Sequence, residues 1–291
     1  MTKILALIPL FLISTFGIIF MPGQPDADSA PIPICHTILP ETDGMKQFAL
    51  DPAFQALHLT PLPLDYEGIG KKITFTAPDG KDASGYFIKA KKKSDKWLFV
   101  YQEWWGLNDY IRRQSDTFYK DLGEDVNVLA LDMYDGQSTD NPQEAGKLMS
   151  GTSETRLTSI VQGGYAYAGT KAQVASVGWC FGGGWSLRSA LLGGKNNVGS
   201  VMYYGMPTQD TEWLQTLNSD VLGLFATEQR ISKEVIAQFD ANMKKAGKTL
   251  TYKIFPGVHG FANPSNPKFD EAGAKEAYGM ALSYLKKRLK V

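Results

Sequence analysis

Beyond residue 70 the chain alternates between short apolar runs and longer stretches of helical spacing. Apolar, β-branched and aromatic residues cluster at 72–76, 84–89, 97–101, 126–131, 174–179, 198–204, 221–226 and 250–255. Runs of this length predict eight strands. The first two are joined by Pro78-Asp79-Gly80, a turn sequence that makes them a hairpin. Apolar residues recur every three or four positions at 108–122, 143–149, 153–170, 185–192, 211–217, 232–246 and 270–289, which predicts helices. An antiparallel pair followed by strand-helix repeats implies an α/β fold, a mostly parallel sheet of about eight strands with helices on both faces.

The first seventy residues do not follow this rhythm. One lysine, an almost unbroken apolar run over 4–21 and a polar tail over 22–30 read as an export signal, with cleavage near Ala27-Asp28-Ser29. The run approaches the length of a membrane span, so an uncleaved N-terminal anchor is the alternative. Residues 31–70 are proline-rich and irregular, with one helical candidate at 51–58, and are expected to lie as an arm over the domain. The expected organisation is a leader or anchor at 1–30, an arm at 31–70 and an α/β domain at 71–291, in an exported (periplasmic or secreted) protein.

Of the 291 residues 43% are hydrophobic and 21% charged, an ordinary globular balance, and 30 basic residues match 30 acidic ones. That balance leaves no electrostatic footprint for nucleic acid. A membrane is reached only through the N-terminal segment, if it is retained. Two cysteines, Cys35 and Cys180, make no disulfide framework, and both thiols are expected unpaired. The three histidines, His36, His58 and His259, lie far apart in sequence without metal-ligand spacing, so no metal is expected.

The densest chemistry is at Gly178-Trp179-Cys180-Phe181-Gly182-Gly183, between a buried-strand pattern and a helical one. Strand, tight turn and helix with a nucleophile at the apex and glycines two positions either side form a nucleophile elbow, here with sulfur in place of oxygen. A buried core cysteine needs no such glycines. The helix N-terminus behind the turn is expected to lower the thiol pKa and favour the thiolate.

In open parallel sheets reactive groups collect at the carboxyl ends of strands. The last strand ends in Pro256-Gly257-Val258-His259-Gly260, and His259 is the one imidazole within 71–291, hence the candidate base. The acid that orients it should follow the 221–226 strand, where Glu228 and Gln229 both stand and no aspartate does. Glu228 is the first choice, since its extra methylene extends the reach of an aspartate and its charge stabilises the imidazolium; Gln229 would instead orient the ring through its amide oxygen. Glu103, at the end of the 97–101 strand, is followed by Trp104, Trp105 and Gly106. An apolar surround there would raise its pKa and let it exchange protons with Cys180. The backbone N–H groups of Trp104 and Phe181 are the expected oxyanion hole.

Together with Gln102-Glu103-Trp104-Trp105-Gly106-Leu107-Asn108, Leu131-Asp132-Met133-Tyr134-Asp135-Gly136, Tyr203-Tyr204-Gly205 and His259-Gly260-Phe261-Ala262, the elbow resembles the dienelactone hydrolase family of the α/β-hydrolase superfamily, over about residues 70–290. The resemblance implies a Cys-Asp-His triad, a glutamate at the Glu103 position that helps ionise the cysteine when substrate is present, and ester or lactone hydrolysis in small molecules without metal or cofactor. Two departures stand out. The aspartate is replaced: counting forward from Phe225 puts Gln229 there, and counting back from Ile231-Ser232 puts Glu228 there. Asn263 occupies the position of an arginine that holds the substrate carboxylate, which argues against dienelactone itself, while Trp104, Trp105 and Trp185 hint at an apolar acyl or aryl group. The rival expectation is a catalytically degraded relative that binds a small apolar ligand.

Overall fold

In the computed structural model, which describes residues 44–291, every predicted strand is present: β1 (Lys71–Thr76), β2 (Asp82–Ile88), β3 (Lys96–Tyr101), β4 (Asn127–Leu131), β5 (Gln173–Trp179), β6 (Asn197–Tyr203), β7 (Val221–Ala226) and β8 (Leu250–Phe255). The leader, Cys35 and His36 lie outside the described residues, and so do the export and anchoring expectations. The strands form one sheet in the order β1-β2-β4-β3-β5-β6-β7-β8. β2 runs antiparallel to β1 and β4, and the remaining pairs are parallel. β4, β6 and β7 are buried almost throughout, whereas the edge strands β1 and β8 alternate or lie open. Continuous apolar runs are what a strand covered on both faces requires.

The helices are α1 (Pro52–Leu57), α2 (Asp109–Asp121), α3 (Pro142–Gly151), α4 (Glu154–Ala168), α5 (Phe181–Gly193), α6 (Thr211–Gln215), α7 (Lys233–Lys245) and α8 (Glu271–Leu289). Side-chain alternation along β5 assigns the two layers. Ser176 donates to the Ser186 carbonyl of α5, while Trp179, an odd number of residues on, packs against Phe118 of α2. Phe118 in turn meets Tyr278 of α8, and Tyr165 of α4 donates to the Ser189 carbonyl of α5. So α4 and α5 cover one face, and α2 and α8 the other.

The helix expected at 185–192 begins earlier, at Phe181. Glycines weaken helical propensity, which disguises the first turn. They are needed because that turn wedges between strand ends: a Cβ on Gly182 would lie 2.3 Å from the Gln102 carbonyl oxygen, and one on Gly178 would lie 2.0 Å from that of Gly182.

The arm from residue 44 onward packs within the same compact unit as the sheet. Asp51 caps α1 by accepting from Ala53 N–H, Pro52 starts it, and His58 ends it. Asp51 also pairs with Arg230 at 2.7 Å, and the Arg230 guanidinium lies over Phe48 and Phe54. Further along, Leu62 N–H donates to the Ser265 carbonyl, and the Tyr66 hydroxyl donates to Asp116. The arm thus runs over the strand ends where the candidate residues lie.

Candidate active site

Cys180 sits between β5 and α5 with φ 55° and ψ −118°. A non-glycine residue with positive φ is strained, and here Cys180 N–H donating to the Tyr203 carbonyl holds the turn. Phe181 opens α5, so its N–H has no partner within the helix, and it interacts with the Cys180 sulfur. Cys180 is free of disulfide and only 1% exposed.

Two loops deliver the ring and its acid. Thr227 N–H donates to the Gly257 carbonyl and Thr227 Oγ1 to the Phe255 carbonyl, which sets the loop after β7 in register with the loop after β8. His259 Nδ1–H then donates to Glu228 Oε1 at 2.7 Å, with both side chains about nine-tenths buried. Glu228, not Gln229, holds this ring nitrogen. His259 Nε2 is buried and is the nitrogen left to face the sulfur, with which the ring interacts. Burial opposes the imidazolium, but the charges of Glu228 and Cys180 outweigh it and push the His259 pKa well above the ordinary value.

Glu103 is buried at the turn after β3, and its pKa is pushed up to about 7 by that burial, against the lowering influence of His259, Tyr204 and Asn263. Tyr204 donates its hydroxyl to Oε1 at 3.2 Å, and the Asn263 amide donates to Oε2. Asn263 is therefore engaged with Glu103 in this state. Tyr204, at φ 34° directly after β6, was visible in sequence only as part of Tyr203-Tyr204-Gly205; nothing local signals its contact with a carboxylate 101 positions away.

Two expectations are corrected. The thiol pKa is raised rather than lowered: burial disfavours the thiolate, and His259, with Phe181 N–H, recovers only part of that cost. The second concerns His58, set aside for its distance in sequence and for lying before the domain. It is brought to the sulfur, with Nε2 3.9 Å from Cys180 Sγ. Its Nδ1 lies 2.8 Å from the Phe54 carbonyl oxygen, which can only accept, so Nδ1 carries the proton and Nε2 a lone pair. Burial and the charge of His259 depress its pKa to about 3, so the ring is neutral. Cys180 Sγ, one ring nitrogen of His58 and one of His259 lie within 4.8 Å of one another.

Aromatic rings close over this centre. The His58 ring lies 4.2 Å from that of Trp104, and Phe54 meets Trp104 edge-on at 5.4 Å. Trp104 and Trp105 are both buried, with centroids 5.0 Å apart. Trp185 is not part of that cluster: it packs along α5 on Phe181 and Arg188.

Residues 84–289 match the model of the dienelactone hydrolase family. The chain belongs to the dienelactone hydrolase family. It is thus a hydrolase acting on ester or lactone bonds, built on the α/β-hydrolase sheet described above. An Aquifex aeolicus protein provisionally named a carboxymethylenebutenolidase is 25% identical over 236 residues, covering 76% of this chain and all of that protein. Among solved structures, a dienelactone hydrolase-like promiscuous phosphotriesterase from metagenomic libraries superposes with a TM-score of 0.64 at 17% identity, covering 76% of this chain and 99% of that one. The dienelactone hydrolase of Anabaena variabilis does so with a TM-score of 0.56 at 14% identity, covering 77% and 99%. At these identities the two structures are likenesses of fold. Within the dienelactone hydrolase frame, the arm that carries Phe54 and His58 precedes the matched residues.

Proposed function

We propose that the chain is a cysteine-dependent hydrolase that cleaves small-molecule esters or lactones through a thioester on Cys180. The observation that carries the reading is the Cys180 elbow, strained at φ 55°, facing a His259 ring whose far nitrogen is held by Glu228. His259, kept protonated by Glu228, forms the ion pair that sustains a thiolate, gives its proton to the leaving oxygen and then activates water against the thioester. Glu103, poised near neutrality, takes up the thiol proton when substrate displaces its partners Tyr204 and Asn263. Backbone N–H groups of Phe181 and Trp104 would receive the carbonyl oxygen as its charge develops.

Glu103 and Asn263 border a narrow cleft shared with Trp179, Ala262 and Pro264, and those three also line a cavity of about 300 Å³ reaching Phe269 and Tyr278. Its aromatic walls suit an apolar acyl or aryl group. The apolar run at 4–21 supports an exported enzyme.

The test is to incubate the protein with an aryl ester, quench with acid and map peptides by mass. The expected result is an acyl group on Cys180, absent from Cys180→Ala; hydrolysis undiminished in that variant would overturn the proposal. A second reading, a catalytically idle member that binds a small apolar ligand, draws on the burial of Cys180 beneath Phe54 and His58. Iodoacetamide separates the two. Fast labelling near neutral pH that is lost in His259→Ala marks the enzyme, and slow labelling indifferent to that change marks the binder.

A further inference from the structure

Both histidines beside Cys180 are held as metal-binding histidines are. In such sites one ring nitrogen faces the ion, and the other donates to a carbonyl or carboxylate that fixes the tautomer and raises basicity. His58 Nδ1–H donates to the Phe54 carbonyl at 2.8 Å, and His259 Nδ1–H to Glu228 at 2.7 Å. The opposite nitrogens converge on one sulfur. His58 Nε2 stands 3.9 Å from Sγ, and the buried His259 ring interacts with the same sulfur.

We propose that Cys180 Sγ, His58 Nε2 and His259 Nε2 form a site for a thiophilic divalent cation of the zinc class, which locks the arm over the sulfur. Tetrahedral zinc bonds of about 2.3 Å to sulfur and about 2.0 Å to nitrogen separate neighbouring ligand atoms by roughly 3.5 Å. Starting from 3.9 Å between sulfur and His58 and at most 4.8 Å across the set, the ligands close by up to about 1.5 Å. One soft thiolate and two imidazoles favour zinc or cobalt over magnesium or calcium. Three protein ligands leave a fourth position for water. Binding releases both the thiol proton and the proton on His259 Nε2, leaves His259 Nδ1–H on Glu228 and occupies the sulfur, so the ion blocks acylation and ties α1 to the elbow at once. His58 is the distinguishing ligand, since it comes from the arm rather than from the strand ends.

The experiment uses the full chain carrying Cys35→Ser and His36→Ala, so that the adjacent Cys-His pair of the N-terminal segment contributes nothing. Zinc is titrated calorimetrically after chelator treatment, and cobalt is followed by its thiolate-to-metal charge-transfer absorption. The expected result is one equivalent bound with a thiolate band. His58→Ala should weaken affinity by more than the about 10- to 100-fold that loss of an outer partner costs, and Glu228→Gln by about that outer-partner amount. Cys180 in His58→Ala should still react with iodoacetamide, which reports an intact elbow. Absence of the cobalt-thiolate band, or affinity unchanged by His58→Ala, overturns the site. The effect on turnover rests on the hydrolase reading, and the two fail separately. Ester hydrolysis in chelator without metal binding defeats this inference alone, and stoichiometric binding without hydrolysis under any condition supports the site while defeating the hydrolase reading.

Discussion

The centre has two halves built by different means. Cys180, Glu103, Glu228 and His259 stand on turns that leave a buried parallel sheet, where backbone contacts as close as Cys180 N–H to the Tyr203 carbonyl and Thr227 N–H to the Gly257 carbonyl leave little room for movement. Phe54 and His58 stand on a six-residue helix held from outside by one ion pair, two cation-π contacts and scattered hydrogen bonds. The first half sets geometry; the second sets solvation. Burial beside the arm contributes to a raised thiol pKa and a neutral His58. On the proposed mechanism, the arm or the substrate must change the surroundings of Cys180 before it can react.

The comparison breaks outright if the sheet-borne half is dispensable. Cys180→Ala is expected to lower aryl ester turnover by about 10⁴-fold or more while leaving the circular dichroism spectrum unchanged. Gly182→Ala attacks the same half through its backbone. With the Gln102 and Tyr101 carbonyl oxygens 2.3 and 2.4 Å from the added carbon, a loss of about 3 kcal/mol is expected in urea unfolding. A loss below about 0.5 kcal/mol would mean that the elbow is looser than drawn.

Glu103 sharpens the contrast through pH. Its carboxyl rises from an ordinary 4.5 to about 7 in the folded protein, so between those values the native state keeps a proton that the unfolded chain has released, and stability falls as pH rises through that window. Glu103→Gln should remove this dependence, improving stability relative to wild type by about 2–3 kcal/mol between pH 5 and pH 8. Parallel urea midpoints for the two proteins across that range would count against the burial. The smallest effect belongs to the arm. Arg230→Ala removes a partly exposed ion pair and two ring contacts, and should speed iodoacetamide labelling of Cys180 about fivefold. Labelling no faster than in wild type would show that the arm is not what covers the sulfur.

The strands were legible because their apolar runs are local, and the elbow because its glycines stand at fixed offsets from Cys180; His259 followed from its strand-end position and from being the one imidazole within 71–291. Glu228 was preferred to Gln229 in sequence for its charge, but a one-residue shift in a turn redirects a side chain, and only the tie between Thr227 and the Phe255-Gly257 segment sets which one meets the imidazole. The start of α5 was hidden because glycine serves close packing there, against its own helical propensity.

What the amino-acid order determined by itself is therefore the sheet, the elbow and the family, all written in short-range patterns of size and polarity. Only the tertiary structure decided that His58 reaches a sulfur 122 positions later, that Asn263 and Tyr204 grip Glu103, and that the thiol is harder rather than easier to ionise. Proximity across such separations and the loss of water around a charge are properties of the packed chain, and no local stretch of residues carries them.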